Sequence, residues 1–463
     1  MDGKTLRRFN DESARKRCLE SRWEGFFIKL NIFLEELKRL AKGNSYNFNT
    51  LSFLLVVNII VAAIGFATRI KMANELGSIE FGLLSYSIAI SAYIETIVRY
   101  GTDKTLVRDI VYNRNNMHEI LVSSIILKII LFSICLSSVY IYNKVTENDI
   151  ILWVIAGGSV ISFEAKGAYD ATNNIRRHSI YYALYRIFYY ILIWIPIYVM
   201  SGVFTVKYIG IAMVVSGITY ITIQYFWIFD RSAFIKTEPS EIYRCTATIL
   251  FENLPICFAA LCGLGLIAFN QLILKEYCGT KELGIYAVAW QFFWVGNLFV
   301  LQLSRVGQPI LAKKILASKE GNNEVSLFIL KYIAVMLVTI LPISLPMILF
   351  PELIIGTFFS QEYIGSISPL RIIGLYMIVI SVDMVITQYL IILKKNKLYM
   401  IVMSFFGITS MLLSWAIIPK YQATGAAISL FVSHALAISV LGYFVVHSLM
   451  NAKNYIAQAN GNI

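Results

Sequence analysis

The amino-acid sequence predicts an all-α polytopic membrane protein, with twelve transmembrane helices in two six-helix lobes related by a pseudo-two-fold axis along the membrane normal. Three observations carry that prediction. The first is composition: 58% of the 463 residues are hydrophobic and 15% charged, with a mean hydropathy of +0.67. Soluble domains are about one quarter charged, and no soluble core hides this much apolar surface. The second is segment length. Apolar runs are about twenty residues long, the length of a membrane-spanning helix, rather than the ten-residue alternation of a barrel strand. Residues 208–229, 253–274, 283–304 and 398–419 carry no charge at all. The third is an internal duplication.

The duplication centres on residues 76–109, LGSIEFGLLSYSIAISAYIETIVRYGTDKTLVRD. A short Gly-containing turn opens into an apolar helix that ends at Gly101 and hands over to a basic segment. The pattern returns at Glu282-Leu283-Gly284-Ile285-Tyr286, which opens a helix running towards Arg305, Pro309, Lys313 and Lys314. Pairing Gly82 with Gly284 gives an offset of 202. Arg176-Arg177 echoes Lys394-Lys395 at offset 218, and Gly210-Ile211-Ala212 echoes Gly425-Ala426-Ala427 at offset 215. Six spans separate the copies, so both halves enter the membrane in the same direction, as in transporters built from parallel repeats.

Taken in order, residues 1–47 form a charged tail. Trp23, Phe26, Phe27, Leu30, Phe33, Leu34, Leu37 and Leu40 recur there at helical spacing between Lys29, Glu35, Glu36, Lys38 and Arg39. This predicts an amphipathic helix on a membrane surface; a dispensable extension is the other reading. Twelve spans follow, at 49–70, 80–100, 119–142, 150–171, 180–200, 208–229, 247–271, 283–304, 325–350, 368–393, 398–418 and 423–449. They divide into an N-terminal lobe (48–229), a cytoplasmic linker (230–246) and a C-terminal lobe (247–450), with a short tail at 451–463. Pro196, Pro255, Pro342 and Pro346 fall inside spans, where a missing N–H kinks the helix. With the N-terminus inside, the inner loops hold fifteen Lys and Arg against seven in the outer loops, and the N-terminal tail adds eleven. Both termini are therefore predicted to be cytoplasmic. No cleavable signal peptide is expected, since the first apolar run begins near Phe48.

An ionisable group inside a span costs about 2.5–3.5 kcal/mol on insertion scales and so needs a reason. Glu95 and Arg99 lie four apart on one helix face, as an internal ion pair or as a transport element. Lys166 and Asp170 share that spacing near the cytoplasmic boundary, where snorkelling accounts for them, and Glu164 lies on a different face. Lys128 and Arg186 have no acidic neighbour within four residues and are candidates for a cationic cavity. Glu252, beside Pro255, and Asp383, flanked by apolar residues, read as lone carboxylates suited to reversible protonation. Glu95, Asp170, Glu252 and Asp383 are thus the ion- or proton-coupling candidates. Trp290 and Trp294 are candidates for stacking on sugar rings. The six cysteines show no metal spacing, and His118, His178, His434 and His447 are scattered and form no site. No metal or cofactor is expected, with H+ or Na+ as the candidate coupling ions, and the net charge of +12 reads as membrane orientation rather than nucleic-acid binding.

Three stretches carry a resemblance over about residues 50–450. One runs from Leu76-Gly77 through Phe81-Gly82 and Tyr86 to Gly101 and Arg108. Another is Leu254-Pro255 followed by Asn270-Gln271-Leu272-Ile273-Leu274. The last runs from Leu283-Gly284-Ile285-Tyr286 to Pro309. In order and spacing they resemble the Wzx-type polysaccharide flippases of the multidrug/oligosaccharidyl-lipid/polysaccharide exporter superfamily. Many relatives carry an acid where Asn270 stands, and most lack the long N-terminal tail.

The resemblance implies a flippase for an undecaprenyl-diphosphate-linked oligosaccharide in the bacterial inner membrane, a precursor of O-antigen or capsule. It implies two lobes around a central cavity that opens alternately to each side. A cavity lined by Lys or Arg would neutralise the diphosphate while the lipid tail stays in the bilayer. Arg69 is the first candidate for that role, with Arg99, Lys128 and Arg186 behind it. Other polysaccharide-assembly proteins are candidate partners of the N-terminal helix. A drug/cation antiporter of the same superfamily is the nearest rival, and it would favour an acidic cavity. A membrane polymerase or glycosyltransferase would need a sizeable outer loop with acidic or histidine chemistry, and the outer loops are short.

Overall fold

The computed structural model describes residues 48–112, 116–146, 149–172, 174–199, 204–228, 239–317, 323–393 and 395–460. The amphipathic helix expected within 1–47 and the first part of the expected linker lie outside them. The described chain is helical, with no β-strand among the described residues. In hydrocarbon every backbone N–H and C=O must be satisfied within its own segment, and the helix does this. The helices are α1 (Phe48–Arg99), α2 (Thr102–Tyr112), α3 (Met117–Thr146), α4 (Asp149–Val160), α5 (Lys166–Ala171), α6 (Ile175–Val199), α7 (Val206–Ile228), α8 (Pro239–Ala317), α9 (Asn323–Leu349), α10 (Pro351–Phe358), α11 (Ile367–Ile392) and α12 (Asn396–Asn460). Ten stretches among them are long and apolar enough to cross a membrane. The protein is a multi-pass membrane protein.

The sorting of residues fits that solvent. Val199, Phe226, Phe251 and Tyr443 point outward, while Ser87, Ser159, Ser216, Ser381 and Ser429 are buried between helices. Small residues let backbones approach closely, and their hydroxyls are satisfied one turn back. Ser87 Oγ donates to Leu83 O at 2.9 Å, Ser216 Oγ to Ala212 O at 2.7 Å and Ser381 Oγ to Met377 O at 2.8 Å.

Three helices exceed the length of one crossing, and each is interrupted. α1 breaks at Gly77 (φ 73°, ψ 173°), α8 at Gly279 (φ 86°, ψ 176°) and α12 at Gln422 (φ 52°, ψ −132°). Gly77 and Gly279 are 202 residues apart, the offset read from the sequence, and adopt the same left-handed backbone that glycine enters without steric cost. The expected spans 49–70 and 80–100 are two helices that meet at Gly77 with no loop between them. The chain stays helical through Pro196, Pro255, Pro342 and Pro346. The basic segment after Gly101 is itself a helix, α2, entered through positive φ at Tyr100 and Gly101.

Beyond the two glycine breaks, residues 78–99 and 280–317 cross in direct backbone contact. A Cβ on Gly82 would lie 1.8 Å from Thr280 O, and one on Gly284 would lie 2.0 Å from Ser78 O. Thr280 is Ser78 shifted by 202, so the contact is reciprocal between the duplicated stretches. A C-terminal segment seals the same end. Tyr363 Oη donates to Ala73 O at 2.8 Å, and Ser78 N donates to Glu362 Oε2 at 2.9 Å. Asn74 donates from Nδ2 to Phe358 O at 2.9 Å and accepts at Oδ1 from Ser360 N at 3.0 Å. At the opposite end the halves meet on one side, where Asn253 Nδ2 donates to Thr105 Oγ1 at 3.0 Å and Arg108 pairs with Glu252 at 3.3 Å.

The crossing yields a prediction. Gly82→Ala or Gly284→Ala drives a methyl group into a facing carbonyl, costing more than the about 1–3 kcal/mol of ordinary overpacking. Each variant should melt well below the parent in detergent, whereas Gly263→Ala and Gly356→Ala, with nothing within 4 Å, should not. A Gly82→Ala protein as stable as its parent would disprove the crossing.

Candidate functional site

Below the sealed end lies a cavity of about 370 Å³ walled by α1, α6 and the second part of α8. This lies within the usual range of small-molecule sites, about 300–1,000 Å³. Its charged lining residues are Arg69, Arg186 and Arg305, and no Asp or Glu joins them. Among the described residues none of the three arginines has a carboxylate within 4 Å. Arg69 and Arg186 lie within Coulombic range of each other, so their charges raise each other's affinity for an anion.

The N-terminal half holds these two arginines as a unit. Trp194 Nε1 donates to Thr68 Oγ1 at 2.9 Å, tying α6 to α1 one residue from Arg69. Tyr190 packs so closely on Gly65 that a Cβ there would meet its hydroxyl at 2.1 Å. The Arg186 guanidinium lies 5.3 Å from the centre of the Tyr190 ring, a cation–π contact that orients the group without neutralising it. The C-terminal half supplies one stripe of α8: Gln291, Trp294, Leu298, Leu301, Gln302 and Arg305 recur at helical spacing along the wall. From Gln291 to Arg305 the stripe rises about 21 Å at 1.5 Å per residue. Phe66 meets Phe292 edge to face at 5.1 Å, so Arg69 and Gln291 share the level nearest the sealed end.

The other sequence candidates lie elsewhere. Arg99 is bound into a network within the N-terminal half, pairing with Glu95 at 2.8 Å, with Asp103, and with Glu164 at 3.4 Å. Glu164 also accepts from Tyr220 Oη at 2.8 Å and lies 2.9 Å from His178 Nε2. Lys128 is 2% exposed and faces the same group, with Asp103 and Glu164 as its acidic neighbours. Asp170 is partly buried within the field of Lys166, His178 and Arg305. Two readings are corrected. Glu252 is no lone buried carboxylate: it is exposed and paired with Arg108, because α8 begins at Pro239 and carries Glu252 along α2. Asp383 is not alone either. Its Oδ2 lies 3.3 Å from His434 Nε2, its Oδ1 accepts from Thr387 Oγ1 at 2.8 Å, and His434 Nδ1 lies 3.0 Å from Tyr376 Oη. Two of the four histidines that seemed scattered, His178 and His434, thus each meet a carboxylate, one in each half.

The aromatic pair also separates. Trp290 is core, stacked on Phe293 at 4.4 Å, while Trp294 is half exposed and lines the cavity. Reading for charge also missed Arg305, which looked like a loop cation, and the neutral Asn58, Asn297, Gln302 and Gln291.

The network gives a second prediction. Glu164→Ala strips a buried carboxylate from Arg99 and His178, and removing one partner of a buried pair costs about 3–5 kcal/mol. Glu252→Ala breaks an exposed pair worth about 0–1 kcal/mol. Thermal melting should fall sharply for the first and hardly for the second, and equal effects would contradict the burial described.

The comparisons with known proteins agree with this architecture. The profile of the family described as polysaccharide biosynthesis protein matches residues 49–314, and the chain belongs to that family. The capsular polysaccharide biosynthesis protein CapF of Staphylococcus aureus is 22% identical over 403 residues, covering 86% of this chain and 98% of that protein. Among solved structures, the lipid II flippase MurJ in its inward closed conformation superposes with a TM-score of 0.67 at 13% identity, over 87% of this chain and 90% of that one. An inward-facing multidrug resistance MATE family transporter of the MOP superfamily gives 0.65 at 16% identity, over 87% and 95%. The chain therefore has the fold of the MOP transporters.

Proposed function

We propose that this protein is a flippase that carries an undecaprenyl-diphosphate-linked oligosaccharide, a precursor of O-antigen or capsule, across the bacterial inner membrane. The observation that carries the proposal is a cavity between the two halves with three arginines, no carboxylate, and amide and aromatic side chains along one wall. A diphosphate is anionic and a glycan is polar, so neither crosses hydrocarbon unaided. Arg69 and Arg186 take the diphosphate, Arg305 meets it on entry, and Trp294 with the amides takes the sugars. The lipid tail stays in the bilayer. The chain acts as a transporter rather than an enzyme.

Divided at Gly77, Gly279 and Gln422, the three long helices make twelve spans, six in each half. The reciprocal Gly82 and Gly284 contact supports a pseudo-two-fold axis along the membrane normal. The excess of Lys and Arg in alternate loops supports cytoplasmic termini and makes the sealed end the outer one. Alternating access then means parting the helix crossing and closing the opposite end. Asp383 with His434 is the first candidate for H+ coupling, being a carboxylate–imidazole pair between helices. Glu95 and Asp170 stand behind it, and exposed Glu252 fits least.

A drug/cation antiporter remains the second reading because MATE transporters share the fold. The cavity charge favours the anion. The test is rescue of a flippase-null strain, scored by surface polysaccharide and by accumulated lipid-linked intermediate. Wild type should rescue, whereas Arg69→Ala and Arg186→Ala should fail at normal expression. Rescue by the double arginine variant, or drug resistance without rescue, would overturn the proposal.

A further inference from the structure

Gln291 is 3% exposed and lines the cavity. Both its side-chain amide atoms are buried with no hydrogen-bond partner. A buried amide left unpaired costs stability that an apolar side chain of the same shape would not, and most buried polar side chains in proteins are satisfied. An amide kept unsatisfied in the wall of a binding cavity is held ready for a ligand.

Its position defines which part of the ligand. On the α8 stripe Gln291 precedes Phe292, which rests on Phe66 three residues before Arg69. Trp294 stands one turn on and is open to the cavity. A diphosphate seated at Arg69 and Arg186 therefore brings the sugar bonded to it alongside Gln291. The primary amide presents an N–H donor and a carbonyl acceptor side by side. Its complement is a neutral group offering an acceptor and a donor side by side, as a vicinal diol does, or as an acetamido N–H does with the hydroxyl on the next carbon. A sugar carboxylate would satisfy only the N–H.

We infer that Gln291 is the specificity-determining residue for the sugar attached to the diphosphate, selecting one with a paired donor and acceptor beside the linkage. This rests on the flippase reading above. The test measures Trp fluorescence quenching of the purified full chain in nanodiscs. The probes are undecaprenyl diphosphate alone and its N-acetylglucosamine, glucose and 2-deoxyglucose conjugates.

Wild type should bind the N-acetylglucosamine or glucose conjugate about tenfold more tightly than the bare diphosphate, the worth of one or two hydrogen bonds, with 2-deoxyglucose gaining nothing. Whichever conjugate leads identifies the group read. Gln291→Leu should fold as well as wild type, bind the bare diphosphate equally and lose the sugar preference. Gln291→Asn, with its amide one carbon short, should also lose it. If wild type binds no conjugate and no diphosphate, the flippase reading fails. If wild type prefers a conjugate and Gln291→Leu keeps that preference, the role given to Gln291 fails while the flippase reading stands. Equal binding of the 2-deoxyglucose and glucose conjugates, with no N-acetylglucosamine preference, would also overturn it.

Discussion

The backbone contact between Gly82 and Gly284 is the constraint on which the rest depends. Two helices that touch at main-chain distance close one end of the cavity, since neither can advance without meeting a carbonyl. Each helix is released from the segment before it by a glycine at positive φ. Around this crossing Asn74, Ser78 and Tyr363 knit the end shut through hydrogen bonds between residues nearly three hundred positions apart. Helices that converge at one end must diverge below it. The cavity is that divergence.

Inside the cavity the chain does what hydrocarbon forbids elsewhere. Arg99 has three carboxylates around it, and Lys128 sits in the same field, so opposite charges in that cluster pair and tie α1, α2 and α3 to the segment between α4 and α5. Arg69, Arg186 and Arg305 share a chamber with no acid. Arg69 and Arg305 are exposed and Arg186 is partly buried, so their charge stays hydrated or meets an anion, and the cation–π contact of Arg186 with Tyr190 leaves its charge available. The contrast between satisfied and unsatisfied cations, more than the number of cations, distinguishes the cavity from the Arg99 network.

Much of the fold was legible because the bilayer restricts it. Span length, the offset of 202 and the glycine turns were readable from residue types alone, and the offset reappears in the dihedrals of Gly77 and Gly279. The site was legible only in part. Lys128 and Arg186 stood out as cations with no acid within four residues and Arg69 was implied by the family resemblance; of these, Arg69 and Arg186 line the cavity. Arg99 was ranked with them because Glu164, 65 residues away, leaves no mark at helical spacing, and Asp103, four residues on, lies beyond the Gly101 turn. His178 and His434 meet carboxylates 14 and 51 residues distant, pairings that exist only once helices pack. Gln291 gave no signal because it is neutral and lies in a charge-free span. An amide in such a span was itself the available clue, since amides are costly in hydrocarbon.

The central claim is that the chamber is built for an anion headed by sugar and tethered to lipid. The most direct measurement is competitive binding to the purified protein at two ionic strengths, with undecaprenyl diphosphate and the lipophilic cation tetraphenylphosphonium as ligands. The account predicts that the diphosphate binds, that inorganic pyrophosphate displaces it and that added salt weakens it, while the cation does not compete. Saturable binding of the cation, unaffected by pyrophosphate, would contradict it.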